Sequence, residues 1–254
     1  MIYILTATHN SKYLKTFFDC VDNQSAREEI IPIIVDASED GCCDNLWNDH
    51  APVVILRHKG VFWGTSLKIL RDYLKKYFVI EEEDTVCLIN VDRTFCRDYM
   101  KLGAIYAQIG KNLVISHCID KNNNHVSGGL YADWKKFSFT LSETPNICGT
   151  NGLFIKAEDF VKCKISTFLP HHFADFQLVL SLVKGGSVIY EPLNLVLTME
   201  ESESIHNPKT WKELFDIRCS CNPVYMAVFV LLCCPMRYKP INLLRCLWWL
   251  VKIF

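Results

Sequence analysis

Residues 85–95 read T-V-C-L-I-N-V-D-R-T-F, and this stretch decides the fold. Its apolar run at 86–89 is short, contains Val and Ile, and is bounded by polar residues, which is typical of a buried strand. Asn90 and Asp92 follow at the carboxyl end of this strand, where open α/β sheets bind their ligands. Because one residue separates them, the two side chains point to the same side of an extended chain.

This pair of polar side chains predicts a metal site. An amide oxygen beside a carboxylate suits a hard divalent cation that is shared with a diphosphate, so Asp92 is the predicted ligand of Mn²⁺ or Mg²⁺. The alternative is an ordinary junction between a strand and a turn, in which Asn and Asp bond their own backbone. The remaining motifs of the chain bear on the choice between these two interpretations.

The composition restricts the class of protein. The chain has 254 residues, of which 50% are hydrophobic, which suffices for one core or for one domain and a tail. A net charge of -1 gives no sign of the clustered basic surface that binds nucleic acid, so no nucleic-acid partner is expected. The 13 cysteines include no C-x-x-C pair, and residues 1–10 lack the features of a signal peptide. We therefore expect mostly free thiols in a reducing compartment, and hence a cytoplasmic location.

Short apolar strands alternate with helices along residues 1–200. Strands are predicted at 1–6, 30–35, 53–56, 86–89 and 112–116, and helices at 13–20, 66–77 and 98–110. This alternation predicts an α/β fold whose mostly parallel sheet is flanked by helices. Polar loops at Asp36 and at 90–92 then fall at the carboxyl ends of strands, where they would form a crevice for a nucleotide. Asp36 could accept a hydrogen bond from a ribose or a base, or it could be an ordinary turn residue.

The second half of the chain contains a candidate general base. Asp175 is predicted to lie in the first turn of a helix, where N–H groups favour its ionised form, as a general base requires. The alternative is an aspartate that only caps the helix. Upstream of it, Gly149 and Gly152 flank a turn whose backbone could approach a phosphate or a sugar.

Taken in order, these motifs resemble the inverting, nucleotide-sugar-dependent glycosyltransferases of the family-two type, which have the GT-A fold. The rhamnosyltransferase-like members are the most similar. The matching segments are T-H-N at 8–10, V-D-A-S at 35–38, F-W-G at 62–64, N-V-D at 90–92, G-T-N-G at 149–152 and L-P-H-H-F-A-D-F at 169–176. The resemblance implies a GT-A catalytic domain over residues 1–200.

The resemblance also implies a reaction and a set of site residues. A sugar, such as rhamnose or another hexose, would pass from a nucleotide-diphosphate donor to a hydroxyl of a glycan or lipid-linked acceptor, with Asp175 as the catalytic base. Asp92 would hold the metal on the donor diphosphate. The nucleotide-sugar-binding residues would be Thr8, Asn10, Asp36, Trp63, Asn90, Gly149, Asn151, His171 and His172. For Trp63 and for the histidine pair, simple packing in the core is the alternative.

Three departures from the family pattern keep a second function open. Arg93 follows Asp92 where a small or polar residue is usual, and Gln177 replaces a second acidic residue. Residues 66–68 stand where an asparagine is expected. The alternative is therefore a non-catalytic, nucleotide-sugar-binding or membrane-tethered partner subunit of the same fold. A nucleotidyltransferase is disfavoured, because the chain has no glycine-rich, lysine-bearing loop near its N-terminus of the kind that such enzymes use.

Residues 201–254 are predicted to form a helical C-terminal extension. Their apolar runs at 224–234 and 241–254 are shorter than the roughly 20 residues that span a bilayer. In the second run the polar and basic residues fall near one helical face, which suits a helix lying in a membrane interface. These residues are Asn242, Arg245 and Lys252, with Trp249 beside them. A contact of 223–254 with a membrane surface or with a second copy in a homodimer is expected, and a hairpin packed on the domain is the alternative.

Overall fold

The structure is a computed structural model, and it describes residues 1–44, 46, 50, 52–122, 124–199 and 207–252. Its strands are β1 (Ile2–Thr8), β2 (Ile30–Asp36), β3 (Val54–Arg57), β4 (Thr85–Leu88), β5 (Arg93–Phe95), β6 (Asn112–Ile115), β7 (His117–Ile119), β8 (His125–Ser127), β9 (Gly129–Asp133), β10 (Ser138–Leu141), β11 (Ile147–Cys148), β12 (Leu153–Lys156), β13 (Val188–Tyr190) and β14 (Val196–Met199). Its α-helices are α1 (Leu14–Asp22), α2 (Trp63–Tyr77), α3 (Tyr99–Gln108), α4 (Ala157–Lys162), α5 (Ala174–Lys184), α6 (Trp211–Leu214), α7 (Pro223–Cys233) and α8 (Lys239–Lys252).

A seven-stranded sheet organises the fold, with the strand order β13-β6-β12-β4-β1-β2-β3. All of these strands are parallel except β12, which runs antiparallel to both β4 and β6. The chain runs outward from β1 to β3 and returns with β4 on the other side of β1, so the order reverses between β1 and β4. Ligands of open α/β sheets bind at the carboxyl ends of the strands at such a reversal. The predicted α/β class with a mostly parallel, helix-flanked sheet is confirmed.

The central strands form because their residues are apolar on both faces. Along β1, Tyr3 and Leu5 point into the core beneath α2 and α5, whereas Ile2 and Ile4 point into the core beneath α1 and α3. All four side chains are at most 4% exposed. Burying an aliphatic side chain of this size contributes about 1.5–3 kcal/mol, so the register of these strands is strongly specified.

Two smaller sheets extend the framework. The strands β5, β14, β7 and β8 form one sheet in that order, and β10, β9 and β11 form the other. The first begins at Arg93, directly after Asp92, and the second ends at Cys148, directly before the turn at 149–152. Both sheets therefore adjoin segments of the candidate site.

The C-terminal helices pack on the domain through α7. Phe229 is fully buried, and its ring stacks on that of Phe173 with 5.0 Å between centroids. Trp134 lies 5.6 Å from the same ring. Phe173 immediately precedes α5 and has a positive φ of 65°, a conformation that costs free energy in a non-glycine residue. The aromatic contact of α7 thus supports the start of the helix that carries Asp175.

The last helix, α8, turns a polar face towards the protein. Asn242 is fully buried and donates to the carbonyl oxygen of Trp134 at 2.9 Å. Arg245 donates to the carbonyl oxygen of Lys135 at 2.7 Å. On the outer face Leu244, Leu247 and Trp248 are 59–65% exposed. Part of the predicted polar face is therefore an internal contact, and the apolar face is turned outward.

Two of the sequence predictions for this region lie partly outside the described residues. The expected boundary between 1–200 and 201–254 falls within residues 200–206, and the side chains of Trp249 and Lys252 are likewise outside the description. Among the helices that the structure describes, none combines the length and the apolar character needed to cross a bilayer.

The docking of α8 predicts the effect of a substitution at Asn242. Asn242→Ala should lower the free energy of unfolding by about 1–3 kcal/mol, because it leaves the buried carbonyl of Trp134 without its donor. Leu244→Ala, on the exposed face of the same helix, should change it by less than about 0.5 kcal/mol. Urea unfolding followed by tryptophan fluorescence measures both. Equal effects of the two substitutions would contradict this packing of α8.

Candidate functional site

The carboxyl ends of β1 and β2 form the first wall of the site. Thr8 and Asp36 end these strands as paired residues. The hydroxyl of Thr8 donates to the carbonyl oxygen of Asn10 at 2.7 Å, and the side-chain oxygen of Asn10 accepts from the N–H of Lys12 at 3.1 Å. These local bonds fix the loop after β1, which carries half-buried Asn10 to the sheet edge.

Asp36 anchors the loop that follows β2. Its carboxylate is fully buried and accepts bonds from the hydroxyl of Ser38 at 2.6 Å, the N–H of Ser38 at 3.0 Å and the N–H of Cys43 at 3.3 Å. Burial acts to raise the pKa of this carboxyl, but these bonds outweigh it and hold the pKa below its ordinary value. Asp36 is therefore ionised and turned into its own loop, which is the arrangement expected of a turn residue.

Asp92 lies at the carboxyl end of β4, beside a small cavity. Its side chain is 19% exposed, and Oδ2 accepts from Nη1 of Arg93 at 2.9 Å. The guanidinium of Arg93 is itself only 3% exposed. The cavity measures about 230 Å³, and its lining includes Lys12 in addition to this pair. Two basic side chains and one carboxylate give the lining a positive balance, which suits an anionic ligand.

The turn at 149–152 is held against the same strand end. Gly152 donates its N–H to the carbonyl oxygen of Leu88, the last residue of β4, at 2.9 Å. Its φ is +70°, and a Cβ there would lie 2.3 Å from the hydroxyl of Tyr99 and 2.4 Å from that of Ser116. Only glycine satisfies both the conformation and the space. The turn, with Gly149 and Asn151, is thereby fixed next to the strand that leads to Asp92.

Asp175 reaches this turn from the first residues of α5. Its carboxylate accepts the N–H of Phe176 at 2.9 Å and also bonds the N–H of Thr150. A Cβ at Gly149 would be only 3.5 Å from Oδ2 of Asp175. Burial raises the pKa of Asp175 to about 6, and the N–H bonds only limit the rise. The expectation that N–H groups would favour the ionised form is thus half correct, because burial outweighs them.

Trp63 and Gly64 connect the start of α2 to the turn at 149–152 and to the start of α5. The indole N–H of Trp63 donates to the hydroxyl of Thr150 at 2.9 Å. Gly64 allows the backbones to approach closely, because a Cβ there would lie 2.1 Å from the carbonyl oxygen of Leu169 and 2.7 Å from Cβ of Ala174. The predicted element at 62–64 therefore positions the turn at 149–152 and the start of α5.

His171 lies between the first loop and α5. Its ring is 5.5 Å from that of Phe62 and 4.3 Å from that of His172, between centroids. Burial lowers the pKa of His171 to about 4, helped by the nearby charges of His172 and His9. Its Nδ1 is buried and has no hydrogen-bond partner within the described part of the chain. His172 instead donates to the carbonyl oxygen of Arg218 at 2.8 Å, which is a structural contact.

Most of the site residues predicted from the sequence thus lie at the carboxyl edge of the sheet. Asp92, the turn at 149–152 and Asp175 are joined through β4, and His171 adjoins the loop after β1. Asp36 lies at the same edge, but its carboxylate faces its own loop. Lys12, which sequence reasoning missed, lines the cavity beside Asp92. The only feature of the sequence that could have identified Lys12 is that it is a basic residue in the loop after β1.

Comparison with known proteins gives no assignment. The chain matches no known family model and no curated protein. The functional argument therefore rests on the residues and their geometry.

The raised pKa of Asp175 predicts that removing its charge stabilises the fold. Its pKa is about 6 in the folded protein against 3.8 as the ordinary value, so its favourable contribution to folding is complete below about pH 4 and is lost as the pH rises through 6. At pH 8, Asp175→Asn should raise the free energy of unfolding by about 1–3 kcal/mol. Chemical unfolding at pH 8 and pH 4 tests this, since the gain should vanish at pH 4. A variant that is less stable than the wild type at pH 8 would contradict it.

Proposed function

We propose that the protein is an inverting glycosyltransferase of the GT-A type, which transfers a sugar such as rhamnose or another hexose from a nucleotide diphosphate to a hydroxyl acceptor. The observation that carries this proposal is the placement of Asp175. Its carboxylate, with a pKa of about 6, borders a backbone turn at the carboxyl end of β4, on the sheet edge that also bears Asp92. The reversal of strand order at this edge supports a nucleotide-binding role.

The proposed donor lies with its diphosphate in the cavity beside Asp92. Lys12 and Arg93 supply positive charge there, and the ion pair with Asp92 orients Arg93. The nucleoside extends along the loops that follow β1 and β2. The proposed contacts on that side are Thr8, Asn10 and Asn90, and Asp36 supports them indirectly by holding the loop after β2.

The residues present fit a divalent cation with one protein ligand. Mg²⁺ is commonly bound by one or two carboxylates together with substrate phosphates, and the partly exposed Asp92 offers one such carboxylate. Bound there, Mn²⁺ or Mg²⁺ would offset the charge that develops on the departing diphosphate. Arg93 keeps the carboxylate of Asp92 in position for this role.

The proposed chemistry is a single displacement. The acceptor hydroxyl gives its proton to Asp175 while its oxygen bonds to the anomeric carbon, and the bond from that carbon to the diphosphate oxygen breaks on the opposite face. A pKa of about 6 leaves Asp175 ionised at neutral pH yet basic enough to take the proton. Gly149, Asn151 and Trp63 border the sugar, and neutral His171 adds beside it a ring nitrogen that has no partner among the described residues, with His172 adjacent.

One observation favours the alternative of a non-catalytic partner subunit. The ion pair between Arg93 and Asp92 engages the carboxylate that the metal would use. If this pair is permanent, the cavity binds a nucleotide sugar through its basic side chains, without a metal and without turnover.

We also propose that the C-terminal helices contact a membrane that carries a lipid-linked acceptor. The outward apolar residues of α8 lie near Arg237, which is exposed, and Lys239. An apolar face bordered by basic residues suits an interface with anionic lipids. A homodimer through the same face is the competing outcome.

Turnover tests the catalytic proposal. In an assay of nucleotide release with a panel of nucleotide sugars and Mn²⁺, Asp175→Asn should lower the rate by about 10²- to 10⁴-fold, because the general base is lost. Asp92→Ala should also abolish turnover, since it removes the metal ligand. Asp159→Asn is the matched control, because Asp159 lies in the first turn of another helix, α4. Absence of donor hydrolysis and of transfer in the wild type, with every donor, would instead favour the partner subunit.

Vesicle binding tests the membrane proposal. Co-sedimentation with vesicles of anionic lipid should fall about 10-fold or more when Leu247 and Trp248 are both replaced by Asp. Val79→Asp is the control, because Val79 is 82% exposed but lies in the loop after α2, outside the C-terminal helices. A wild-type protein that ignores the vesicles and sediments as a dimer would contradict the membrane proposal.

A further inference from the structure

A second group of candidate ligands lies apart from Asp92 and Asp175. His117 in β7, His125 in β8 and Glu191 after β13 bring their side chains together. One carboxylate oxygen of Glu191 lies 3.1 Å from Nδ1 of His117 and 3.3 Å from Nε2 of His125. The two imidazoles are stacked, with 4.2 Å between their centroids. All three side chains are 20–35% exposed, so the group is open to solvent.

The backbone holds this group in place and leaves room for it. The second carboxylate oxygen of Glu191 accepts the N–H of Gly129 at 3.0 Å, which fixes its orientation. His117 and His125 sit on adjacent antiparallel strands, β7 and β8. A Cβ at Gly128 would lie 2.7–2.8 Å from both carboxylate oxygens of Glu191 and 2.9 Å from Nε2 of His125. Any side chain at position 128 would therefore crowd the ligand atoms.

The ligand set and its spacing match a zinc centre. Two histidines and one glutamate are a common set for zinc that keeps a fourth coordination position open. Ligands bound at about 2.0–2.1 Å in a tetrahedral site lie roughly 3.3–3.4 Å from one another. The observed nitrogen–oxygen distances of 3.1 and 3.3 Å are close to this spacing. A hard cation such as Mg²⁺ prefers a set of oxygen ligands, whereas two of the three ligand atoms here are imidazole nitrogens.

The group opens into a cavity of its own, apart from the one beside Asp92. This cavity measures about 570 Å³, and its lining includes His117, His125 and Glu191 together with Ser142 and Tyr190. A metal bound by the three side chains would therefore have space on its free side for water or for an oxygen atom of a ligand.

We propose that His117, His125 and Glu191 form a zinc site whose open coordination position faces this cavity. The metal replaces the contacts that Glu191 makes with His117 and His125. Each imidazole then carries its proton on the ring nitrogen that does not bind the metal. The site is independent of the proposed transfer reaction, because it shares no residue with it. The other candidate group, Asp36 with Cys42 and Cys43, is not comparable, since Asp36 is already saturated with donors and burial raises the pKa of both thiols.

Metal titration of the full chain tests this proposal. Metal-free protein should bind one equivalent of Zn²⁺ by calorimetry, and Mg²⁺ should not compete. Loss of a hydrogen bond that only supports a ligand weakens metal binding by about 10- to 100-fold. His125→Gln and Glu191→Gln each remove a ligand, so each should weaken Zn²⁺ binding by more than this. His58→Gln is the matched control, because His58 is exposed and lies outside the group. Circular dichroism verifies that each variant is folded.

Cobalt substitution distinguishes this group from the many thiols of the chain. Co²⁺ bound to nitrogen and oxygen should show ligand-field absorption without a thiolate charge-transfer band. Thiolate bands, or Zn²⁺ affinity that is unchanged in both His125→Gln and Glu191→Gln, would overturn the proposal. Asp92→Ala should retain Zn²⁺ binding, so a failure of the transfer proposal would leave this result unaffected.

Discussion

The antiparallel strand β12 is the constraint on which the candidate site depends. It pairs with β4 so that Leu153 faces Leu88, and the N–H of Gly152 closes the ladder on Leu88. This reversed direction brings the start of β12, rather than its end, to the carboxyl edge of the sheet. The turn before β12 can then lie beside Asp92, and Asp175 can bond it. A parallel strand in this place would carry the turn to the opposite edge.

Asp175 illustrates how such a site is maintained at the expense of stability. Its carboxylate is partly buried, and this burial raises its pKa to about 6 even though backbone N–H groups, including those of Phe176 and Thr150, bond it. The same burial that makes the group a better base makes its charged form unfavourable for folding. The sheet and its two cores must therefore supply enough free energy to hold a charge at this position at neutral pH.

The sequence was informative where local pattern determines structure. The apolar runs identified the central strands, and polar residues at the ends of those runs identified the sheet edge, because both depend only on nearby residues. The direction of β12 and the inward orientation of Asp36 could not be predicted, since they arise from strand pairing and from bonds to residues two to seven positions ahead.

Contacts between segments that are far apart in the sequence could not be predicted either. His117 and His125 belong to separate strands and Glu191 follows a third, and no spacing rule predicts that these segments meet. The pKa of Asp175 depends in part on the N–H of Thr150, which is remote in sequence. For α8, a helical pattern gave the correct faces but not which face meets the domain, because Asn242 finds its partner at Trp134.

The stacking of Phe229 on Phe173 connects the C-terminal helices to the start of α5. Phe173 holds a strained backbone at the entrance to α5, and the ring that keeps it there comes from α7. A chain that ended before α7 would therefore lose more than a surface helix. It would also lose the ring that packs on Phe173, the residue that precedes the helix carrying Asp175. The proposed membrane contact of the C-terminal helices and the proposed role of Asp175 therefore depend on the same aromatic contact, and a truncation would disturb both at once.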